Sequence, residues 1–514
     1  MRRIVCLAVA CVCALMFSCK RYAPEDDEAT FENRPPQIDP DYRGVTVPPN
    51  LAPLNFRIQE QGNGYFVKIR SRSGSSLQIY SSKAVVQFPI KPWQRIVAGS
   101  VGDSLMVAVY TSHADHRWVK YREFSILVAR EPVDDYVVYR LIHPAHLLWK
   151  EMGIYQRRLS DFSEKAVLQN RSIDGQCMNC HHFNQYDPNS MMLHLRGGKT
   201  GGTLLLHKGR LIKINTATPF NRAGAYPAWS PDGSLIAFSV NQLEMFFHAT
   251  GEARDVLDRG SNIVIYDVEK NMIGSAPGLS DPQRMETFPA WSPDGKTLYF
   301  CSCLPFETFV AGDGLHYEQV RYDLMRIPYD PNNGWGKAEV VLSAAETGRS
   351  ITEPAVSPDG RHVLLCMADD GHFPIYQPDS DIYMLELASG DYWKLPISSE
   401  HNDTYPSWSS NGRWLMFSSK RRDDVFSHPY ISYFGTDGTI HKPFLLPQKS
   451  PDFYNTFDRT FNRPTFVSGP VRISPQKLAK IAYNNRSKIN AQLDPTLQPA
   501  KKPSADKGYN PAPN

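Results

Sequence analysis

The stretch Tyr226-Pro-Ala-Trp-Ser-Pro-Asp-Gly233 occurs four times along the chain with small changes. The other copies are Phe288-Pro-Ala-Trp-Ser-Pro-Asp-Gly295, Glu353-Pro-Ala-Val-Ser-Pro-Asp-Gly360 and Tyr405-Pro-Ser-Trp-Ser-Ser-Asn-Gly412. Each copy leads into an apolar, strand-like segment, and successive copies lie roughly 50 to 65 residues apart. A repeat of this length has room for four short strands. The pattern therefore predicts the blades of a β-propeller.

The chemistry of the repeat is local. In Pro-Asp-Gly, the proline presets φ, the aspartate side chain bonds nearby backbone, and the glycine tolerates a positive φ, so the segment favours a tight turn between strands. The Trp or Val ahead of the turn is an apolar side chain that we expect to pack as a wedge between neighbouring blades.

This Ser-Pro-Asp-Gly pattern resembles the TolB-type propeller family. It is closer to that family than to WD repeats, because no Gly-His/Trp-Asp signature is present. The resemblance implies a mainly β fold with a five- or six-bladed propeller over residues 201–470. Thr203-Leu-Leu-Leu-His and Arg210-Leu-Ile-Lys-Ile are typical of half a blade ahead of the first turn, and Thr465-Phe-Val-Ser is placed to close the ring.

The rest of the chain divides by composition. Short β runs separated by Gly and Ser predict a small β-sandwich-like domain over residues 45–131. Apolar spacing predicts a short helical segment within residues 132–200, with Ser163 as a candidate cap. Residues 20–44 are polar and acidic and predict a flexible tether. Residues 471–514 are rich in Lys and Pro and predict a disordered tail.

The first nineteen residues predict export. Arg2 and Arg3 precede an apolar stretch of signal-peptide length, which ends at Ser18-Cys19. That ending resembles a bacterial lipobox, in which Cys19 is the lipidated residue, and Lys20 after it resembles outer-membrane sorting. We therefore expect a cell-envelope lipoprotein of the outer membrane, facing the periplasm or the cell surface and attached only by its acyl chains. A plain signal peptide is the alternative.

The charge balance argues against nucleic acid as a partner. The 514 residues carry a formal net charge of +3, and the basic residues are scattered along the chain. A nucleic-acid-binding protein concentrates positive charge on one face or stretch. We expect a protein partner instead.

Cys177-Met-Asn-Cys180-His181 matches the c-type haem attachment pattern. The two thiols are spaced to reach the two vinyl groups of one haem, and the adjoining imidazole then binds the iron. We expect one covalent haem c on Cys177 and Cys180, with His181 as the proximal axial ligand. His194 is the candidate distal ligand, and Met191 or Met192 would give a haem of higher potential.

Two other interpretations of the cysteine pair remain open. Cys177, Cys180, His182 and His194 together offer the thiolate and imidazole donors that suit zinc. A redox-active disulfide between the two cysteines is the second alternative, although the thioredoxin-like βαβ context is missing.

An exported haem protein with a propeller predicts electron transfer or redox docking in the envelope, with the propeller as the interaction platform. The alternative is a TolB-like interaction scaffold with a structural haem or a zinc site. An enzyme ranks third, and we predict no catalytic residues. The chain contains no Gly-x-Ser-x-Gly hydrolase signature.

Overall fold

The computed structural model describes residues 29–113, 117–143, 151–247 and 254–497. The expected signal peptide and the lipidation site Cys19 lie outside the described residues. The fold is mainly β. Of the helices that the described residues form, none is both long enough and apolar enough to cross a bilayer.

The N-terminal part forms two β-sheets and one helix. The larger sheet has seven strands: Ala29–Glu32, Thr46–Val47, Gly64–Ser71, Ser76–Ser81, Ser104–Ser112, Trp118–Tyr121 and Phe124–Val128. The smaller sheet has three: Ile38–Asp39, Phe56–Ile58 and Val85–Val86. The helix Ile90–Ala98 buries Trp93, Ile96 and Val97 in their common core.

Six further sheets follow one another along the chain and are numbered here in that order. Sheet 1 contains, from the inner to the outer strand, Thr460–Val467, Tyr136–Ile142, Gly153–Arg158 and Glu164–Gln169. Sheet 2 contains Cys177–Phe183, Met191–Arg196, Gly202–His207, Arg210–Asn215 and Ile489–Asn490. Sheet 3 contains Ala225–Trp229, Leu235–Phe247, Arg254–Asp267, Met272–Gly274 and Gln492–Leu493.

The remaining three sheets repeat the same antiparallel plan. Sheet 4 contains Met285–Trp291, Thr297–Cys303 and Asp323–Asp330, with Gly334–Trp335 and Glu339–Leu342 both pairing with the third strand. Sheet 5 contains Ser350–Val356, His362–Ala368, Asp381–Glu386 and Tyr392–Lys394. Sheet 6 contains Asp403–Trp408, Trp414–Ser419, His428–Tyr433 and Phe444–Leu445. A small hairpin, Val310–Ala311 with Gly314–Leu315, lies apart.

The part of the chain that the structure describes contains few helices, and they are short. The α-helices outside the N-terminal part are Ala344–Thr347, Phe453–Thr456 and Pro475–Tyr483. Single 3₁₀ turns occur at Asn170–Ser172, Asn184–Tyr186, Gly198–Thr200, Pro277–Leu279, Phe306–Phe309, Tyr317–Gln319, Pro374–Tyr376 and Asn485–Ser487.

The Ser-Pro-Asp-Gly segments form the turns that the sequence predicts. Ser230 Oγ donates to Asp232 Oδ1 at 2.6 Å and accepts from the backbone N–H of Leu235 at 2.9 Å. Gly233 has φ +78°, a conformation that an L side chain rarely adopts. The corresponding Ser-to-Asp or Ser-to-Asn bond is 2.6 Å long in the other three copies as well.

The Trp or Val ahead of each turn packs between sheets, as predicted. Trp229 of sheet 3 shares one buried cluster with Met192 and Leu205 of sheet 2. Trp408 of sheet 6 donates its indole N–H to the Ala355 carbonyl of sheet 5 at 3.0 Å. Apolar surface and a hydrogen bond therefore join successive sheets.

The last inner strand, Thr460–Val467, joins the last sheet of the chain to the first and so closes the ring. Thr460–Val467 pairs antiparallel with Tyr136–Ile142, so residues near the end of the chain complete sheet 1. The inner strands of all six sheets line one central cavity. The arrangement is propeller-like, and the expected closing role of Thr465 is confirmed by this pairing.

The N-terminal sheets pack on sheets 1 and 6 through one continuous core. Polar contacts reinforce it: Trp414 donates its indole N–H to the Glu131 carbonyl at 3.1 Å, and Tyr42 donates its hydroxyl to the Leu445 carbonyl at 3.3 Å. The small domain is therefore an integral part of the folded body.

The expected helical segment within residues 132–200 is wrong. Its described residues form the outer three strands of sheet 1 and the first two of sheet 2. Glu164–Gln169, which begins after Ser163, is a strand because it pairs with Gly153–Arg158. Tertiary pairing overrides a local helical preference that is worth only tenths of a kcal/mol per residue.

Three expected boundaries also change. The sheets of the ring begin at Tyr136, not at residue 201, and the two strands taken for half a blade are outer strands of sheet 2. The expected tether, residues 20–44, contains strands from Ala29 onward. The expected disordered tail forms the helix Pro475–Tyr483 and two edge strands of sheets 2 and 3, and residues 498–514 lie outside the described part.

Candidate functional site

Each inner strand of the ring is interrupted by a bulge at the same place, where its pairing with the second strand shifts. In five of the six strands, a residue with φ between +45° and +53° precedes a proline at the bulge. The first residues of the six bulges are Asn179, Tyr226, Phe288, Glu353, Tyr405 and Arg463. All of these except Phe288 line one of the two central cavities described below.

At four of these bulges, the backbone N–H bonds to the preceding sheet. Phe288 donates to Ser239 Oγ at 2.9 Å. Glu353 and Tyr405 bond in the same way to the thiols of Cys301 and Cys366. Left-handed backbone is unfavourable for residues other than glycine, and these inter-sheet bonds help to hold it in place.

The predicted haem motif forms the inner strand of sheet 2. Cys180-His181-His182 stands where the other repeats have Pro-Ala-Trp, directly after the bulge position Asn179. Both Cys177 and Cys180 are free thiols. Burial raises the pKa of each thiol, whereas Arg196 lies close enough to Cys177 to act in the opposite direction.

His181 has one ring nitrogen held and the other without a partner. Its ring bonds to the Val138 carbonyl of sheet 1, and its Nε2 is buried without a hydrogen-bond partner. Burial, together with the nearby Arg463 and Arg140, lowers the pKa of His181 to about 3. The imidazole is therefore neutral at pH 7, the form that binds metal, and its orientation is fixed by a backbone carbonyl.

His194 does not face the same way as His181. His181 pairs with Leu193 across the sheet, so its neighbour His194 points to the opposite face. His194 Nδ1 lies 3.1 Å from Thr203 Oγ1, and burial lowers its pKa to about 3. In this arrangement, His194 cannot be the second axial ligand of an iron bound by His181.

The zinc alternative gains no support from the geometry. His182 is on the face of His194, while Cys177 borders a different cavity from Cys180. Within the described ranges, no three or more His, Cys, Asp or Glu side chains are grouped so as to hold a metal ion.

Two cavities adjoin this strand. The larger, the axial cavity, has a volume of about 250 Å³ and borders Cys180, His181 and His182. The smaller, the covered cavity, has a volume of about 110 Å³ and borders Cys177. Tyr226, Tyr405 and Arg463 line both cavities, and they therefore form the partition between them.

Three arginines converge on the covered cavity. Arg140 donates to the Met178 and Asn179 carbonyls at 3.2 and 2.8 Å, which fixes the haem-motif strand from the side of sheet 1. Arg463 pairs with Glu353 at 2.5 Å. Arg196 is hydrogen-bonded to Tyr226, whose pKa burial raises to about 12.

Sequence reasoning missed most of these residues. The position before each repeated Pro is the signal that would have found Tyr226, Glu353 and Tyr405, since it marks the bulge in every copy. Arg140 and Arg196 carry no such signal, because sheet pairing alone brings them to the motif.

Comparisons with known proteins are limited in reach. No known family model matches the chain. The uncharacterized peptidase YuxL of Bacillus subtilis (strain 168) is 26% identical over 223 residues, which cover 40% of this chain and 31% of YuxL. The chain thus spans about a third of the length of the curated relative it matches.

Several solved structures are similar at low TM-scores. Prolyl oligopeptidase B from Galerina marginata has a TM-score of 0.32 and 9% identity, over 66% of this chain and 42% of that one. Oligogalacturonate lyase from Vibrio parahaemolyticus has a TM-score of 0.31 and 10% identity. That match covers 56% of this chain and 85% of the lyase. Cobalt-substituted Synechocystis apocarotenoid oxygenase has a TM-score of 0.38 and 14% identity. That match covers 82% of this chain and 98% of the oxygenase. At these scores, the likenesses carry no argument about activity.

Proposed function

We propose that this chain is a lipid-anchored c-type haem protein of the bacterial envelope, built as a six-bladed TolB-type propeller. The six sheets closed by Thr460–Val467 are the support for the blade number. Cys177 and Cys180 would hold one haem covalently, and the imidazole of His181 would bind its iron. The protein passes electrons to or from a partner that docks on the propeller.

The observation that carries the proposal is the state of His181. Its Nε2 is buried and unpartnered, its other nitrogen is fixed by the Val138 carbonyl, and Cys177 and Cys180 on the same strand are free thiols. Leaving a buried polar atom unsatisfied costs about 1–3 kcal/mol, and a bond to haem iron would remove that cost.

The haem needs more space than the polypeptide alone leaves. Ligand pockets start at about 300 Å³, and the two cavities measure about 250 and 110 Å³. Side chains that line these cavities, Leu243 and Phe373 among them, must shift to admit it. Attachment is therefore expected to precede the final packing of these residues.

Bound haem supplies one-electron chemistry, and the surrounding chain sets its conditions. The Val138 carbonyl orients the imidazole and makes it a stronger donor to the iron. Arg140 and Arg196 place positive charge close to the attachment strand, which stabilises the reduced, more negative state and raises the reduction potential.

The experiment is a pyridine haemochrome spectrum of denatured protein from a host with haem-maturation machinery. Wild type is expected to give a covalent c-type spectrum and a mass higher by one haem. Cys177→Ser/Cys180→Ser is expected to lose both signals. Cys301→Ser/Cys366→Ser, which changes two other buried cysteines of the ring, is the matched control and is expected to keep them.

A colourless wild-type protein without the added mass contradicts the haem proposal. The second candidate then stands, a TolB-like interaction scaffold without haem. One observation favours it: the outer strand of sheet 5 exposes Tyr392 and Trp393 by 39% and 41%. Amphipathic aromatic side chains of this kind are enriched where proteins dock. Its test is loss of partner capture in Tyr392→Ser/Trp393→Ser.

A further inference from the structure

We propose that the covered cavity binds a small organic carboxylate, whose anionic group is held by Arg140, Arg196 and Arg463. The proposal applies to the haem-free protein, because a haem attached at Cys177 would take up space in the same cavity. It follows from the charge, the hydrogen bonding and the shape of the cavity lining.

The lining carries an excess of positive charge. It includes three arginines, and of the described residues that form it, none is Asp or Glu. Glu353, the partner of Arg463, lines the axial cavity instead. Guanidinium groups do not lose their proton in proteins, so the excess cannot be relieved by titration.

The other two arginines have neutral partners. Arg140 donates to backbone carbonyls and to the side-chain oxygens of Asn179 and Asn462 at 3.0 Å, and its Nε is buried without a partner. Arg196 bonds to the hydroxyl of Tyr226. Hydrogen bonds to neutral groups leave a partly buried cation without a counter-charge, which is unfavourable. A bound carboxylate supplies that counter-charge and matches the planar geometry of guanidinium.

Part of the cavity lining is apolar. Leu243, Val256, Phe373 and Ile375 form it, so a ligand that fills the space has an apolar body beside its anionic group. The volume of about 110 Å³ is larger than the share of one water, about 30 Å³, and smaller than the roughly 150 Å³ cavity that admits benzene. A carboxylate with a few carbon atoms meets both conditions.

Haem propionates are not the source of this carboxylate. Arg140 and Arg196 line the same cavity as the thiol of Cys177, so they would lie near the attachment edge of a haem bound there. The propionates project from the opposite edge of the porphyrin. The ligand is therefore a free small molecule.

Titration calorimetry on haem-free wild type, produced without maturation machinery, tests the site. The probes are sodium butyrate, succinate and phosphate at constant ionic strength. We expect saturable binding of butyrate or succinate with a Kd below about 5 mM and weaker binding of phosphate, which has no apolar body. Arg196→Gln is expected to weaken carboxylate binding at least about tenfold. Arg413→Gln, an arginine outside the cavity, is expected to leave it unchanged.

A second pair of variants tests the site without changing an arginine, in case the Arg196→Gln protein does not fold. Leu243→Trp fills the cavity from its apolar side without touching an arginine and is expected to abolish binding. Leu304→Trp, at a residue 47% exposed, is the control and is expected to bind like wild type. Wild type that binds neither carboxylate, or a Leu243→Trp protein that binds as well as wild type, overturns the proposal.

Discussion

The backbone N–H of Tyr226 donates to Sγ of Cys180 at 3.3 Å, and this bond joins the inner strand of sheet 3 to that of sheet 2. Elsewhere in the ring, Ser239, Cys301 and Cys366 on second strands make the equivalent bond. In sheet 2, the equivalent second-strand position is Leu195, which has no acceptor, and Cys180 takes its place. The second cysteine of the motif thus has a structural role besides its proposed attachment to haem.

Replacing Cys180 therefore tests a hydrogen bond. Cys180→Ala in haem-free protein leaves the buried N–H of Tyr226 without an acceptor, and we expect a loss of about 1–3 kcal/mol in unfolding free energy. Cys180→Ser keeps an acceptor and is expected to lose less. Urea unfolding measures both. Ser239→Ala, which removes the same bond one sheet later, should behave like Cys180→Ala, and equal stability of the Ala and Ser variants of Cys180 would argue against the role.

The opposite orientations of His181 and His194 make a spectroscopic prediction. If haem is attached, His181→Ala retains the covalent haem but changes the Soret band and the reduction potential, because the axial nitrogen is lost. His194→Gln is expected to leave both unchanged. Spectra of the reduced and oxidised proteins measure this. A shift in His194→Gln as large as that in His181→Ala would show that the two imidazoles share one iron.

Buried neutral histidines make the fold sensitive to acid. Burial lowers the pKa of His194 from 6.5 to about 3, so the unfolded state binds a proton that the folded state does not. The stability from this residue is complete above pH 6.5 and falls as the pH drops towards 3, by about 1.4 kcal/mol per pH unit for one proton. Between pH 6 and 4.5, the unfolding free energy of His194→Gln is expected to fall less steeply than that of wild type, by about 1.4 kcal/mol per pH unit.

The control for that measurement is His316→Gln. His316 is bonded to Asp313, which raises its pKa, so its contribution has the opposite sign and fades as the pH rises. Denaturant midpoints recorded against pH separate the two variants. An unchanged acid slope in His194→Gln would mean that another group carries the proton.

The closing strand is expected to depend on one aromatic contact. Phe461 is fully buried, and its ring meets that of Tyr139 edge to face, with centroids 4.8 Å apart. Phe461→Ala removes packing between the strands Thr460–Val467 and Tyr136–Ile142. We expect the unfolding free energy to fall by about 3–5 kcal/mol. Thermal unfolding measures it. Phe31→Ala, at a residue 58% exposed, should change the midpoint little, and a similarly small change in Phe461→Ala would contradict the contact.

The repeats were predictable because their information is local. Ser230, Asp232 and Gly233 make the turn among themselves, so the residues that specify it are adjacent in the sequence. The wedge at Trp229 follows from the same eight residues. Regularity across four copies then predicts strands, turns and their spacing without any knowledge of long-range pairing.

The position of the Cys177–His181 motif was not predictable in this way. Sheet 2 lacks the repeat, since Asn184-Gln185-Tyr186 makes its turn with positive φ at Gln185 and Tyr186 instead of glycine. Cys180-His181-His182 stands at the Pro-Ala-Trp positions of the repeat. The sequence therefore does not show that this segment is an inner strand like the others. Arg140 and Arg463 meet only because the last strand pairs with the first, and no local pattern encodes such a meeting.

The pairing of Thr460–Val467 with Tyr136–Ile142 also determines when the protein can finish folding. Arg140 and its partner Asn462 are 322 positions apart, so a growing chain displays one open strand edge for most of its synthesis. Open edges recruit other chains and lead to aggregation. We therefore expect a chain that ends before Thr460 to keep this edge open and to associate with other chains more readily than one that extends through Val467.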